Sequence, residues 1–466
     1  MGLRRTAGLI GAAPGTMAGM SASPTLPLGV RIGYGSGSVA TGTFGTIPGL
    51  MLLPYLTDSV GIAALAAGFI VFAPKAWDVV LNPIAGRISD RTVDPRGPRR
   101  PWLRRAGLTL AVTFALLFAA PSMTTWVEAL WVLVLFLSCA TAYAFFQVPY
   151  VAMPAELTES YDERTRLMTW RVAILALTIL LAGATAPMIR DAVGGRDGYR
   201  VMGVVMAVLI LAGVLSAYAG TRRAPVHTVQ PGAGGLRDQL RIVAAAPDFR
   251  RLLITFVIQA VAFGAMLAGV DYLATDVLGR AGAATVLFVC FVGPALLLTP
   301  TWAALGARIG KKAGYTAASL VLAVGALLAA TAQIAPAALV YAAVVLVGVG
   351  YAGCQVFPMA MLPDAAAVDA RRSGSSRIGV YTGVWTAGET LGLALGPGVF
   401  AVVLALGGYR SSTGSDVLQP DSALTAITLG FSVLPACLVV LSLLWLRGYS
   451  LTADDVDGDM EGTVPA

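Results

Sequence analysis

The sequence is poor in charge. Only 12% of its 466 residues are Asp, Glu, Lys or Arg, whereas 57% are hydrophobic. Soluble domains carry about 25% charged residues. The apolar residues form runs of about 20, the length that spans a bilayer as a helix, instead of being scattered at the amphipathic spacing of a soluble fold. The sequence therefore predicts an all-α, multi-pass protein of the cell membrane.

Histidine and paired cysteine are also scarce. The one histidine, His227, lies in a polar segment, which excludes a histidine proton relay within the membrane. The four cysteines are isolated in apolar runs without a Cys-x-x-Cys pair, so neither a metal site nor a disulfide framework is indicated. A nucleotide-binding glycine loop and a nucleophile–base–orienter set are both missing, which argues against an ATP-driven pump and against an enzyme. We expect no cofactor apart from a coupling ion.

The formal net charge of +7 indicates topology and not nucleic-acid binding. Basic residues are concentrated in alternate short loops between apolar runs, as the positive-inside rule expects for cytoplasmic loops. This alternation predicts that both termini are cytoplasmic.

About twelve spans fit the length criterion, divided by a polar segment into two sets of six. The first span is rich in Gly, Ser and Thr, so we expect it to face protein or water instead of lipid. The predicted organisation is a cytoplasmic N-terminal tail (1–28), a six-helix bundle (29–220), a cytoplasmic middle loop with an amphipathic helix (221–251), a second six-helix bundle (252–447) and an acidic tail (448–466).

The two halves resemble each other. The fourth span ends in QVPYVAMPAE (147–156) and the tenth in QVFPMAMLPD (355–364). The loops after the second and eighth spans begin GRISDR at Gly86 and GARIGKK at Gly306. Internal repeats of this kind are typical of secondary transporters, whose substrate site lies between the halves near the membrane midplane.

Asp78 is the main candidate for function. It lies deep in the second apolar run, where a charge costs about 2.5–3.5 kcal/mol and is kept mainly when it is used. Asn82 follows four residues later on the same helical face. Asp78 is a candidate ion or proton carrier; the alternative is a structural pair with Lys75 or with another helix.

Polar and aromatic residues in other spans are candidates for substrate contact. Gln147 and Gln355 occupy equivalent positions in the two halves and either bind substrate or hydrogen-bond between helices. Glu389 lies inside the eleventh span, as a substrate contact or as a counter-charge for Lys75. Asp271 is either a gate or a surface residue. The aromatic candidates, each also consistent with packing, are Tyr34, Tyr143, Tyr150, Tyr381 and Trp385.

A set of charged residues is predicted to act as a gate. Those in the loops are expected to pair across the cytoplasmic face in the outward-facing state and to separate in the inward-facing state, unless they only set topology. Together with Lys75, the set consists of Asp90, Arg91, Arg99, Arg100, Glu156, Arg164, Asp364 and Arg372.

Three stretches resemble one transporter family. KAWDVVLNPIAGRISDRTVDPRGPRRPW in the second span, residues 148–171 and residues 361–396 are similar to the glycoside–pentoside–hexuronide:cation symporters (melibiose permease-like) of the major facilitator superfamily. The resemblance implies twelve transmembrane helices in two pseudo-symmetric halves, alternating access and cation coupling.

The resemblance also assigns residues. Asp78 matches the first acid of the family's cation site, whereas the second acid falls at Asn82 and the fourth-span acid at Gln147. The first-span acid that binds sugar falls near Gly42, and the eleventh-span lysine falls at Thr390. Arg171 retains an arginine that the family uses.

We therefore expect a monomeric secondary transporter, in contact with membrane lipid, that moves a glycoside-like or other polar organic solute with a cation. A proton is the expected ion, because one carboxylate with an amide suits Na⁺ less well than two carboxylates. An exporter or flippase of a lysolipid-like amphiphile or hydrophobic natural product is the alternative within transport. A non-transporting receptor or scaffold is more remote, since a scaffold needs no gate.

Overall fold

The computed structural model describes residues 26–158, 160–224, 246–280, 282–373, 378–413, 417–451 and 455. Throughout these residues the regular secondary structure is helical. The all-α prediction is confirmed. Residues 236–245 of the predicted amphipathic helix lie outside the described residues, and residues 247–251 form the start of a long helix.

Long helices account for most of the described chain. In order they are α1 (Leu28–Ile47), α2 (Ala64–Asp90), α3 (Arg100–Leu117), α4 (Thr125–Ala152), α5 (Tyr161–Val193), α6 (Gly195–Thr221), α7 (Pro247–Tyr272), α8 (Ala283–Ile309), α9 (Lys311–Ala329), α10 (Ala337–Ser373), α11 (Ile378–Leu406) and α12, which is made of Asp421–Phe431 and Val433–Arg447. Segments of π-helix continue α1 over Pro48–Leu52 and Tyr55–Ser59, and α7 over Leu273–Val277. A single turn, Pro154–Leu157, follows α4.

Ten helices of the described residues are long and apolar enough to cross a membrane. The long helices outside that set are α1, which is rich in Gly, Ser and Thr, and α3, which begins Arg-Pro-Trp-Leu-Arg-Arg. The multi-pass membrane class is therefore confirmed, while the count of twelve spans, the domain boundaries and the side of the termini stay predictions.

Two helices are longer than the sequence predicts. The α5 helix begins at Tyr161, because the Ser160 side chain caps it by accepting a hydrogen bond from the Glu163 amide at 3.5 Å. The α10 helix continues to Ser373, so Asp364 is helical and pairs with Lys311 at 2.5 Å. Hydropathy marks only the apolar centre of a span, whereas both helices continue into polar sequence.

Small residues bring helices into close contact. A Cβ atom on Gly33 of α1 would lie 2.6 Å from the Cα of Gly220 on α6. One on Gly68 of α2 would lie 2.5 Å from the Cβ of Ala401 on α11. The second contact joins the two halves. A larger side chain at Gly68 would push α2 away from α11.

Candidate functional site

Asp78 is buried inside α2. The residue is 3% exposed, and its Oδ1 atom has no hydrogen-bond partner among the described residues. Lys75, three residues earlier, interacts electrostatically with Asp78, and its Nζ lies 4.8 Å from the ring centroid of Phe44. A buried carboxylate with an open acceptor is costly, which favours a group that takes up a proton or a cation.

Glu389 of α11 contributes a side chain from the second half of the protein to this site. Tyr143 of α4 interacts electrostatically with Asp78, Arg171 and Glu389. On the other side, Tyr351 of α10 interacts with both Glu389 and Gln355. We call this set the midplane cluster; its members are Lys75, Asp78, Tyr143, Arg171, Tyr351, Gln355 and Glu389.

Helix geometry explains why Asp78 and Glu389 reach similar depth. The contact between Gly68 and Ala401 fixes α2 against α11. From that contact Asp78 lies about 15 Å along α2, and Glu389 about 18 Å along α11, at 1.5 Å per residue. The two helices run in opposite directions, so both steps lead toward the basic loops. The two carboxylates therefore belong to one level of the membrane.

Arg171 supplies positive charge next to this level. Its Nε is buried without a hydrogen-bond partner, and its guanidinium lies 5.7 Å from the ring centroid of Tyr150. Tyr150 is held in turn, because its hydroxyl donates to the Tyr34 carbonyl at 2.8 Å and lies 3.0 Å from the Ser38 hydroxyl. Tyr34 and Tyr150 are fully buried with ring centroids 4.9 Å apart. In this state both tyrosines pack α1 against α4, and their role in substrate binding stays a prediction.

The aromatic candidates of α11 pack inside the second half. The Trp385 ring stacks on Phe256 of α7 at 4.3 Å, and Tyr381 meets Phe249 edge-on at 4.5 Å. Both side chains are almost fully buried. The remaining polar candidates, which the structure leaves half-buried, are Asn82, Gln147, Gln355 and Thr390. Their assignment to substrate or ion stays a prediction.

The predicted gate residues pair within each half. Arg99 lies 3.1 Å from Glu156 and 3.3 Å from Asp90, all in the first half. Burial raises the pKa of the Glu156 carboxyl, and the Arg99 charge acts against that rise. Lys311 and Asp364 pair within the second half at 2.5 Å. These ion pairs each lie within one half, and the gating role stays a prediction.

The other predicted gate residues differ in their surroundings. Arg100 is 1% exposed and donates to the carbonyls of Thr221 and Ala224 at 2.9 Å each, so it caps the end of α6. Arg164 donates to the Thr158 carbonyl at 2.9 Å. Arg91 is exposed, and the side chain of Arg372 lies outside the described residues.

At the helix ends opposite the basic loops, a network of ion pairs and hydrogen bonds joins the two halves. Arg190 of α5 pairs with Asp271 of α7 at 2.5 Å, and the Tyr409 hydroxyl donates to Asp58 at 2.8 Å. Burial and the Asp58 carboxylate raise the pKa of the Tyr409 hydroxyl, which therefore stays protonated as a donor. The hydroxyls of Thr57 and Tyr272 lie 2.7 Å apart. We call this set the outer latch; its members are Thr57, Asp58, Arg190, Asp271, Tyr272 and Tyr409.

The outer latch defines the conformation. Hydrogen bonds and an ion pair join the two halves at these outer ends. The two halves are thus closed on the outer side. Sequence reasoning named only Asp271 here and left its role open. The sequence signal for its partner was the basic residues at the outer end of the fifth span, which include Arg190.

Comparisons with known proteins agree with this architecture. The family model described as MFS/sugar transport protein matches residues 33–453. The YagG protein of Escherichia coli strain K12, which is named for glycoside/cation symport, is 26% identical over 91% of this chain and 92% of its own. The glucuronide carrier protein homolog of the same strain is 24% identical, with coverages of 90% and 92%.

More distant proteins share the length and the fold. The sodium-dependent lysophosphatidylcholine symporter 1 of Gallus gallus is 22% identical over 90% of this chain and 86% of its own. A bacterial homologue of the human lysosomal transporter Spinster superposes with a TM-score of 0.67 at 13% identity, covering 91% of this chain and 95% of that one.

Proposed function

We propose that this protein carries a glycoside-like solute together with a proton. The chain belongs to the MFS/sugar transport protein family, so it is a membrane transporter and not an enzyme. It is a secondary transporter of a small-molecule substrate. We further propose that one chain works alone, since both halves of the midplane cluster come from the same chain.

The observation that carries the proposal is the open carboxylate of Asp78. Asp78 is 3% exposed, its Oδ1 has no partner among the described residues, and its interactions with Lys75 and Tyr143 make it part of the midplane cluster, which spans both halves. Binding of a cation changes the net charge of this buried site, which costs free energy. Binding of the substrate can offset that cost. Such differential binding is what couples an ion to a conformational change.

Charge counting explains how coupling would work. With Lys75 and Arg171 positive and Asp78 and Glu389 negative, the four titratable side chains sum to zero. Protonation of Asp78 removes the negative partner of Lys75 and leaves an uncompensated positive charge. A hydroxyl-rich solute can disperse that charge through hydrogen bonds, so the site that holds both proton and solute is better suited to cross the membrane than the site that holds the proton alone.

A proton fits the donor set better than sodium. Na⁺ is a hard cation that favours several oxygen ligands. The position where the resemblance expects a second acid is Asn82, an amide, and Gln147 replaces a further acid. A single carboxylate beside a lysine needs no such shell to exchange a proton.

The relatives and the cluster both favour a polar solute. YagG and the glucuronide carrier homolog are named for glycoside and glucuronide transport. The hydroxyls of Tyr143 and Tyr351, the Gln355 amide and the charged groups can bind a polyhydroxylated ring by hydrogen bonds. The lysophosphatidylcholine symporter is the observation that keeps an amphiphile as the second candidate.

A thermal-shift screen separates these candidates. Purified protein would be tested with sugars, glycosides, glucuronides and lysolipids, each with and without Na⁺ and at two pH values. We expect stabilisation by a glycoside-like solute that is greater at the lower pH and indifferent to Na⁺. Stabilisation by lysolipids alone, without dependence on pH or Na⁺, would replace the proposal with amphiphile transport.

A further inference from the structure

A groove runs along the lateral face of the first half, between α3 and α4. It has a cavity volume of about 530 Å³ and is lined among others by Trp102, Arg105, Val134, Leu137, Ser138 and Phe145. None of the residues that line it belongs to the midplane cluster or to the outer latch. Exposed apolar side chains such as Val112 and Leu130 lie on the same two helices, which marks this face as lipid-facing.

The groove has the depth of one lipid leaflet. The α3 helix leaves the basic loop at Arg100, and α4 ends on the same side at Ala152. From Phe145 near that end to Val134 is about 16 Å at 1.5 Å per residue. The hydrocarbon core of a bilayer is about 30 Å thick, so the groove reaches the bilayer centre. A phospholipid chain of the cytoplasmic leaflet matches this length.

The wall of the groove is apolar apart from its mouth. The Ser138 hydroxyl donates to the Val134 carbonyl at 2.8 Å, and the Thr141 hydroxyl donates to the Leu137 carbonyl at 2.8 Å. The Thr109 hydroxyl donates to the Arg105 carbonyl at 3.0 Å. These hydroxyl groups form hydrogen bonds within their own helices, so a hydrocarbon chain can lie against them without leaving a polar group unpaired. The exposed group that remains at the mouth is the Arg105 guanidinium.

We propose that this groove holds one anionic phospholipid of the cytoplasmic leaflet, with its acyl chain between α3 and α4 and its headgroup phosphate at Arg105. Charge complementarity supports this occupant, because Arg87 and Arg91 are also exposed at the same end of the first half. Basic pockets between helices on the cytoplasmic side bind anionic headgroups, and each basic side chain near the surface contributes about 1 kcal/mol. The Trp102 ring, stacked on Phe145 at 5.0 Å, lies at the interface where tryptophan is favoured.

A second groove provides a control within the same molecule. It lies between α2 and α4 toward their outer ends, has a volume of about 560 Å³ and is lined only by apolar side chains such as Phe69, Trp126 and Leu133. Without a charged residue in its lining, it can take a chain but cannot select a headgroup. The two grooves together predict one lipid site that depends on headgroup charge and one that does not.

The test is a lipid titration of the purified full-length protein by native mass spectrometry, with dioleoyl-phosphatidylglycerol and dioleoyl-phosphatidylcholine. In the wild type, phosphatidylglycerol should occupy the first site more tightly. Arg105→Gln should lower its affinity about fivefold and leave phosphatidylcholine unchanged. The matched control is Arg104→Gln, because Arg104 lies 5.6 Å from the Tyr218 ring and does not line the groove.

Two further arms complete the test. Ser138→Phe fills the groove from its lipid-facing side and should abolish the tight phosphatidylglycerol site, while Leu130→Phe in the outer groove should not. Soluble glycerophosphoglycerol should fail to compete. The proposal is overturned if Arg105→Gln and Arg104→Gln weaken binding equally, if Ser138→Phe retains the tight site, or if the chain-free headgroup competes as well as the lipid.

Discussion

The outer latch should set the balance between the inward- and outward-facing states. Arg190 and Asp271 have side chains that are 8% and 3% exposed, and they connect the two halves at 2.5 Å. Removing one partner of a buried pair costs about 3–5 kcal/mol, because the other charge is left uncompensated. In an outward-open state the same charge would be hydrated and the cost would vanish. Asp271→Asn should therefore favour the outward-facing state.

The magnitude follows from the same contacts. A change of 3–5 kcal/mol corresponds to roughly 10²- to 10³-fold or more in the ratio of the two states. Asp191, which also contacts Arg190 at 2.7 Å but is 33% exposed, remains in the variant and should hold the shift near the lower end. The double variant Arg190→Gln/Asp271→Asn removes both charges of this pair and should recover part of the shift.

The assay is a distance measurement between spin labels at the outer ends. Val193 and Leu418 are exposed there, one in each half, and are suitable sites for Cys substitution once the four native cysteines are replaced. Asp271→Asn should add a population with a longer distance. Arg200→Gln is the control, because its ion pair with Asp197 is exposed and lies within one half, so it should change the distribution little. An unchanged distribution in Asp271→Asn would refute the latch.

Four further substitutions test the site and the inner face. Asn82→Asp should make uptake sodium-dependent by supplying a second carboxylate, as measured by uptake with and without a Na⁺ gradient; unchanged dependence would count against the proposed ion site. Arg99→Ala should slow turnover without loss of substrate binding. Arg100→Ala should instead lower the melting temperature, because the buried carbonyls of Thr221 and Ala224 lose their donor, which costs about 1–3 kcal/mol of stability. The reverse result, slower turnover in Arg100→Ala and a lower melting temperature in Arg99→Ala, would show that Arg100 and not Arg99 acts in gating. Glu389→Gln should weaken the thermal shift given by substrate several-fold, and an unaltered shift would exclude Glu389 from the substrate site.

The sequence predicted those features of the site that depend on residue spacing within one helix or on the internal repeat. Asp78, Asn82 and Lys75 follow from helical spacing in one apolar run, and the equivalence of Gln147 and Gln355 follows from the repeat. The sequence did not predict pairings between halves, since Arg190 and Asp271 are far apart in the chain and either could have faced water. The hydrogen bond from Tyr409 to Asp58 joins residues that are 351 positions apart in the sequence, and no local pattern encodes it.

Burial also changed the interpretation of residues that were correctly identified. Arg100 lies in a basic loop next to Arg99, and sequence alone gave both the same predicted role. The structure separates them, because Arg100 turns toward backbone carbonyls at the end of α6 whereas Arg99 contacts Glu156 and Asp90. The aromatic residues Tyr381 and Trp385 likewise pack on α7, which composition alone does not indicate.

Proton coupling through Asp78 is the central claim, and uptake by proteoliposomes under an imposed pH gradient tests it most directly. For a solute identified by the thermal-shift screen, the wild type should accumulate solute when the gradient is inward-directed for protons, and a Na⁺ gradient alone should have no effect. Asp78→Asn should abolish accumulation and retain solute exchange, because a neutral amide keeps the site loaded without releasing a proton. Undiminished proton-driven accumulation in Asp78→Asn would contradict the account.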